Sequence, residues 1–118
     1  MRSIRSLVQL AQLALAVVLV SSQAAALAAS AEKGKAAFVK YGCWQCHGFV
    51  GQGGPAGPKL APNPLPLEAL SAFVRHSNGP MPPYMEAVLS NQELADIHAY
   101  LQSIPKPRDY KSIPLLGQ

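Results

Sequence analysis

The sequence predicts an all-α domain, and three observations carry that expectation. Apolar residues recur at helical spacing in separate stretches, glycine and proline gather between those stretches, and no run alternates polar and apolar residues as a half-buried strand would. The 118 residues divide into a leader over 1–28, a helical domain over 29–104 and a tail over 105–118.

The leader begins with Arg2 and Arg5, continues with an apolar run from Leu7 to Val20 broken only by Gln9 and Gln12, and passes into small residues from Ala24 to Ala31. Ala26, Leu27 and Ala28 fit a cleavage site, which starts the mature chain at Ala29 and implies export to the periplasm. An uncleaved anchor is the rival reading. It is disfavoured because the run is shorter than the roughly 20 residues a spanning helix needs. Beyond Ser30 no stretch has the length or apolarity of a membrane span.

The first helix is expected from Ala31 to Tyr41, with Gly34 and Phe38 on one face, Lys33, Lys35 and Lys40 toward water, and Gly42 as its stop. Residues 48–66 are dense in glycine and proline and predict an irregular loop. Leu67, Leu70, Phe73 and Val74 then mark a short amphipathic helix to His76, closed by Asn78, Gly79 and Pro80. After Met81, Pro82, Pro83 and Tyr84 comes a brief helical turn through Val88. Ser90 with Glu93 forms a capping box that opens the last helix, whose stripe is Leu94, Ile97 and Leu101 with Tyr100 beside it. Pro105 and Pro107 end it near Ile104. The tail has no periodicity and is expected to be extended, its Tyr110, Ile113, Leu115 and Leu116 folding back over the domain rather than lying on a partner.

The formal charge of +4 comes from ten basic and six acidic residues, and two of the basic ones lie in the leader. The domain and tail are therefore only mildly basic. With no Lys/Arg block and Trp44 as the single tryptophan, nucleic-acid binding is excluded. So small a domain buries little surface and needs a staple. Cys43 and Cys46 are the only cysteines, and a disulfide across so short a loop would contribute little.

Cys43, Trp44, Gln45, Cys46 and His47 form a CxxCH pentapeptide. Two thiols one helical turn apart can reach the two vinyl groups on one edge of a haem and form thioethers, and the histidine then lies under the iron as an axial ligand. Trp44 and Gln45 act as spacers, with the tryptophan resting against the haem edge. Other uses of the pair fit less well. A thioredoxin-like centre lacks its βαβ pattern, and a zinc site lacks two further ligands. The expected cofactor is one covalent haem c.

Met81 is the candidate for the second axial position, because flanking prolines stiffen its loop. A methionine there raises the reduction potential and blocks oxygen chemistry. Met85, one turn on, competes as ligand but is read first as a core methionine under the haem. His76 and His98 offer a bis-histidine alternative and are read first as exposed.

Together the helix, the CxxCH segment, the glycine-rich loop, the Met-Pro-Pro loop and a last helix containing Ala99, Tyr100 and Leu101 resemble the class I c-type cytochromes over nearly all of residues 29–104. The resemblance implies that family's fold, in which Gly34 and Phe38 of the first helix meet Tyr100 of the last at close range. It also implies a role for Gly57, Pro58, Lys59 and Leu60, similar to the family's GPxL segment, with the Pro58 carbonyl accepting the second N–H of His47. Pro55 and Pro62 are the alternatives for that acceptor. The implied function is single-electron transfer, as a soluble periplasmic carrier or as the cytochrome subunit of a dehydrogenase. Partners would be a dehydrogenase donor and an oxidase or cytochrome acceptor. No nucleophile–base pair, second metal site or phosphate loop occurs, so no catalytic residue is assigned and the protein is not expected to be an enzyme. The alternative is a haem ligand-binding sensor or small peroxidase with an open sixth site.

Overall fold

Ser30 opens the first helix by accepting a hydrogen bond from the Lys33 N–H, and Glu32 in the first turn with Lys40 in the last complements the helix dipole. In the computed structural model, which describes residues 28–115, this helix, α1, spans Ala31–Lys40. All of the expected leader except Ala28 lies outside the described residues, as do residues 116–118 of the tail. The chain leaves α1 through Tyr41 and Gly42, the latter at φ 74°, and enters α2, Cys43–His47. An irregular loop follows, in which Gly54 and Gly57 form an isolated bridge. Helix α3, Leu67–His76, and helix α4, Asn91–Ser103, complete the domain. No strand occurs among the described residues, and none of their helices is long and apolar enough to cross a membrane.

The capping box at α4 forms in full. Ser90 Oγ accepts from the Glu93 N–H at 3.2 Å, and Glu93 Oε2 accepts from the Ser90 N–H at 3.1 Å. Residues 86–89 make the single helical turn expected, closed by the Val88 and Leu89 N–H groups on the Met85 carbonyl. Ile104 ends α4 in extended conformation ahead of Pro105.

The core lies where α1 crosses α4. A Cβ built on Gly34 would fall inside the Asp96 carbonyl and 2.9 Å from Ile97 N, so only glycine permits so close a backbone approach. One turn on, the ring of Phe38, fully buried, meets that of Tyr100 at 5.7 Å and 57°. Polar contacts pin the crossing at both ends. At one, the buried carboxylate of Asp96 accepts from the Ser30 N–H at 2.7 Å and from Gln92 Nε2 at 3.1 Å. At the other, Glu93 Oε1 accepts from Lys40 Nζ at 2.9 Å and from the Tyr41 hydroxyl at 2.8 Å.

Those donors, Lys40 first, then Tyr41 and the Ser90 groups, hold the Glu93 carboxyl down from its ordinary 4.5 to about 2. A carboxylate whose pKa is lower in the folded state stabilises the fold above its unfolded value and loses that contribution as pH falls through the folded one. Glu93→Gln is therefore expected to flatten part of the acid limb of a stability-versus-pH curve between about 4.5 and about 2. Its partner Lys40 is solvent-exposed, which keeps the effect modest. Parallel acid titrations followed by circular dichroism check this, and superimposable limbs would count against it.

Two expectations concern the periphery. Trp44 stacks on Phe49, with centroids 4.7 Å apart and planes 13° apart, and is not among the residues that line the cavity between the helices. Among the described residues of the tail, Tyr110 and Leu115 are not covered, Ile113 is half-buried, and Leu116 lies outside the described residues. The tail makes a 3₁₀ turn, Tyr110–Ser112, capped by Asp109, and leaves Tyr110 60% and Leu115 88% exposed. Its hydrogen bonds are satisfied locally, through Lys111 N–H and Ser112 on Asp109, so no polar contact draws it onto the helices.

Candidate cofactor site

Helix α2 is barely more than one turn, and the i, i+3 spacing sets Cys43 and Cys46 on one side of it. Both cysteines, with His47, line a cavity of about 670 Å³, within the range of small-molecule and cofactor sites. The cavity reaches into the core: Phe38, Leu70, Val74, Leu94, Ile97 and Leu101 are buried residues that also form its wall. Leu65 and Phe73, each 56% exposed, stand at the same wall, where a flat apolar group would cover them.

His47 is buried and its Nδ1 lies 2.8 Å from the Pro58 carbonyl oxygen. A carbonyl can only accept, so Nδ1 carries the proton, and in the neutral ring Nε2 keeps its lone pair for a metal. Of the three prolines weighed from the sequence, Pro58 is thus the one that meets the ring. The loop can come this near because residue 57 is glycine: a Cβ there would lie 2.9 Å from the Cys46 carbonyl oxygen and 3.0 Å from His47 Nδ1.

Burial pushes the Cys43 thiol up to about 11, despite an opposing hydrogen bond from its own backbone. Catalytic Cys-X-X-Cys centres depend on a thiol shifted the other way, toward the thiolate. The Cys43 thiol therefore lacks that activation, and the two sulfurs are not joined to each other.

Met81, half-buried, lines the same cavity from the loop between α3 and α4. Met85 does not, and at 69% exposure it is not the core methionine the sequence led us to expect. It opens the surface turn of 86–89, which carries its side chain outward. Neither histidine rival reaches the cavity wall. His76 is exposed at the end of α3, and His98 donates from Nε2 to the Leu65 carbonyl at 3.0 Å.

The donor set fits a haem c. Two thiols, an imidazole with Nε2 free and a thioether border one apolar cavity, and these are the atoms that covalent attachment and two axial positions require. Sequence reasoning passed over Tyr84, whose ring lines the cavity while its hydroxyl donates to the Tyr41 carbonyl at 2.9 Å. It also passed over Arg75 and Ser77, which hold the methionine loop. The only available signal was their nearness to Met81 in the chain.

Residues 29–101 match the family model described as cytochrome C oxidase, cbb3-type, subunit III, a c-type cytochrome domain. No curated protein and no solved structure matches the chain.

Proposed function

This chain belongs to the c-type cytochrome domain family matched over residues 29–101, whose role is electron transfer by haem c, and from that premise we propose that it works in the periplasm as a one-haem electron carrier or as the cytochrome subunit of a dehydrogenase. The observation that carries the reading is the shared cavity, with Cys43, Cys46 and His47 on one part of its wall and Met81 on another. A single CxxCH segment supports one haem. When bound, haem c supplies the reversible one-electron change at its iron.

The chain's own residues set the conditions for that change. Cys43 and Cys46 would tether the group through their sulfurs, and His47, its ring oriented by Pro58, would ligate through Nε2. Pro58 also makes the imidazole a stronger donor by accepting its Nδ1 proton. The Met81 thioether would supply a second ligand to a bound haem, which would favour the reduced state and close the site to oxygen. Phe38, Leu94 and Leu101 keep water from the interior and lower the local dielectric, which reduces the solvent rearrangement that accompanies each transfer. A donor dehydrogenase and an oxidase or cytochrome acceptor are the partners this chemistry calls for.

Met81→Ala tests the reading. The parent, reduced, is expected to bind carbon monoxide slowly or not at all, and the variant rapidly, as followed by Soret absorbance after mixing. A parent that binds carbon monoxide as fast as the variant would favour the open-site sensor or peroxidase instead.

A further inference from the structure

The loop that carries Met81 is built so that it cannot hold itself. Pro80, Pro82 and Pro83 have no N–H, and outside the helices no backbone–backbone hydrogen bond among the described residues involves 78–83. Asn78, Gly79, Pro80, Pro82 and Pro83 are exposed, and a Cβ on Gly79 would touch nothing within 4 Å. Within 78–83 only Met81 packs against the core, while its neighbours face the cavity or solvent.

Two side chains from the end of α3 supply what the backbone lacks. Ser77 Oγ donates to the carbonyl of Met81 itself at 2.8 Å. Arg75 donates through Nη1 to the Tyr84 carbonyl at 2.6 Å and through Nη2 to Asn91 Oδ1 at 2.9 Å, so its guanidinium joins the loop exit to the first residue of α4. Tyr84 is also tied by its N–H to the Val74 carbonyl at 2.9 Å and by its hydroxyl to the Tyr41 carbonyl. Met81 thus sits between a clamp on its own carbonyl and a clamp three residues later.

We infer that Arg75 and Ser77 are positioning residues for the Met81 thioether, an inference that rests on Met81 being the axial ligand proposed above. Neither residue lines the route to the iron as a ligand; each acts by limiting the conformations in which the thioether swings out of the cavity. The fork of Arg75 aims two separate nitrogens at two acceptors, which the single nitrogen of a lysine does less well, so an Arg-to-Lys exchange weakens the pair. The expected consequence of removing a clamp is an easier exchange of Met81 for an external ligand.

The test uses the oxidised holoprotein titrated with imidazole, monitoring the thioether-to-iron charge-transfer absorption as it disappears. Arg75→Gln is expected to bind imidazole about tenfold more tightly than the parent, and Ser77→Ala about fivefold, the factors that a charged and a neutral hydrogen bond of ordinary strength imply. Ser77→Thr, which keeps the hydroxyl, should fall near the parent, and Arg75→Lys between the parent and Arg75→Gln. A purely structural role would lower thermal stability without this order of affinities. Parental imidazole affinity in both Ser77→Ala and Arg75→Gln, with the charge-transfer band present in the parent, overturns the inference and leaves the Met81 assignment standing. A parent without the band, unchanged in spectrum by Met81→Ala, overturns the ligand assignment and the inference with it. Should Arg75→Gln fail to load haem, the Ser77 pair decides alone.

Discussion

Replacing Cys43 and Cys46 together by alanine is expected to give a colourless chain that is largely unfolded when made in a host with working cytochrome maturation. The reason lies in how the core is arranged. Phe38, Leu70, Val74, Leu94, Ile97 and Leu101 are at once core residues and cavity wall, so the apolar interior is a shell around the cofactor rather than a packed centre. At the roughly 24 cal/mol per Å³ found for enclosed cavities, leaving a cavity of about 670 Å³ empty would cost at most about 16 kcal/mol, and less where it opens to water. That bound is as large as the whole stability of an ordinary domain, about 5–15 kcal/mol. A chain this small cannot absorb the loss, and it either collapses into a loosened state or unfolds. Visible absorbance, intact mass and far-ultraviolet circular dichroism check the result together. An apoprotein that melts cooperatively with parental helix content would show that the α1–α4 crossing suffices without the cofactor.

Gly34→Val is expected to be nearly as damaging although residue 34 touches no part of the site. Local propensity points the other way, since glycine inside a helix is about 1 kcal/mol worse than alanine. Tertiary contact decides the sign. The new Cβ would occupy the Asp96 carbonyl, and both neighbours are helix backbone that cannot step aside as a side chain could. The helices must separate, which loosens the Phe38–Tyr100 contact at 5.7 Å and the Ser30–Asp96 bond at 2.7 Å together. A loss of roughly 3 kcal/mol or more follows, in the range of severe overpacking. Thermal unfolding of the loaded protein measures it, with Gly34→Ala expected to fall in the same direction by less and Lys35→Ala, on the exposed face, close to the parent. A Gly34→Ala variant more stable than the parent would show that the crossing can yield.

The elements were legible because their signals are local. Ser30, the Ser90–Glu93 box and Pro105 each act within a turn of the boundary they set, and the helices fall at or within a residue of where those signals put them. The tail was read less well, since it has no apolar period to fix its form without its surroundings.

Within the site, the amino-acid order alone determined the attachment segment, because two thiols and an imidazole need only one turn of chain to come together. It equally determined that the domain would be helical, while the close meeting of Gly34 and Phe38 with the last helix came from the family likeness. Folding decided everything that depends on residues distant in the chain. It brought Pro58 rather than Pro55 or Pro62 to the His47 ring, set Met81 on the cavity wall and Met85 outside it, kept His98 on the Leu65 carbonyl, and turned Trp44 toward Phe49. Each of those choices is a competition between chemically equivalent groups a few residues apart. Flanking prolines and the GPxL likeness favoured Met81 and Pro58 in advance, and the packing of α3 and α4 around a common cavity is what separates them from their neighbours.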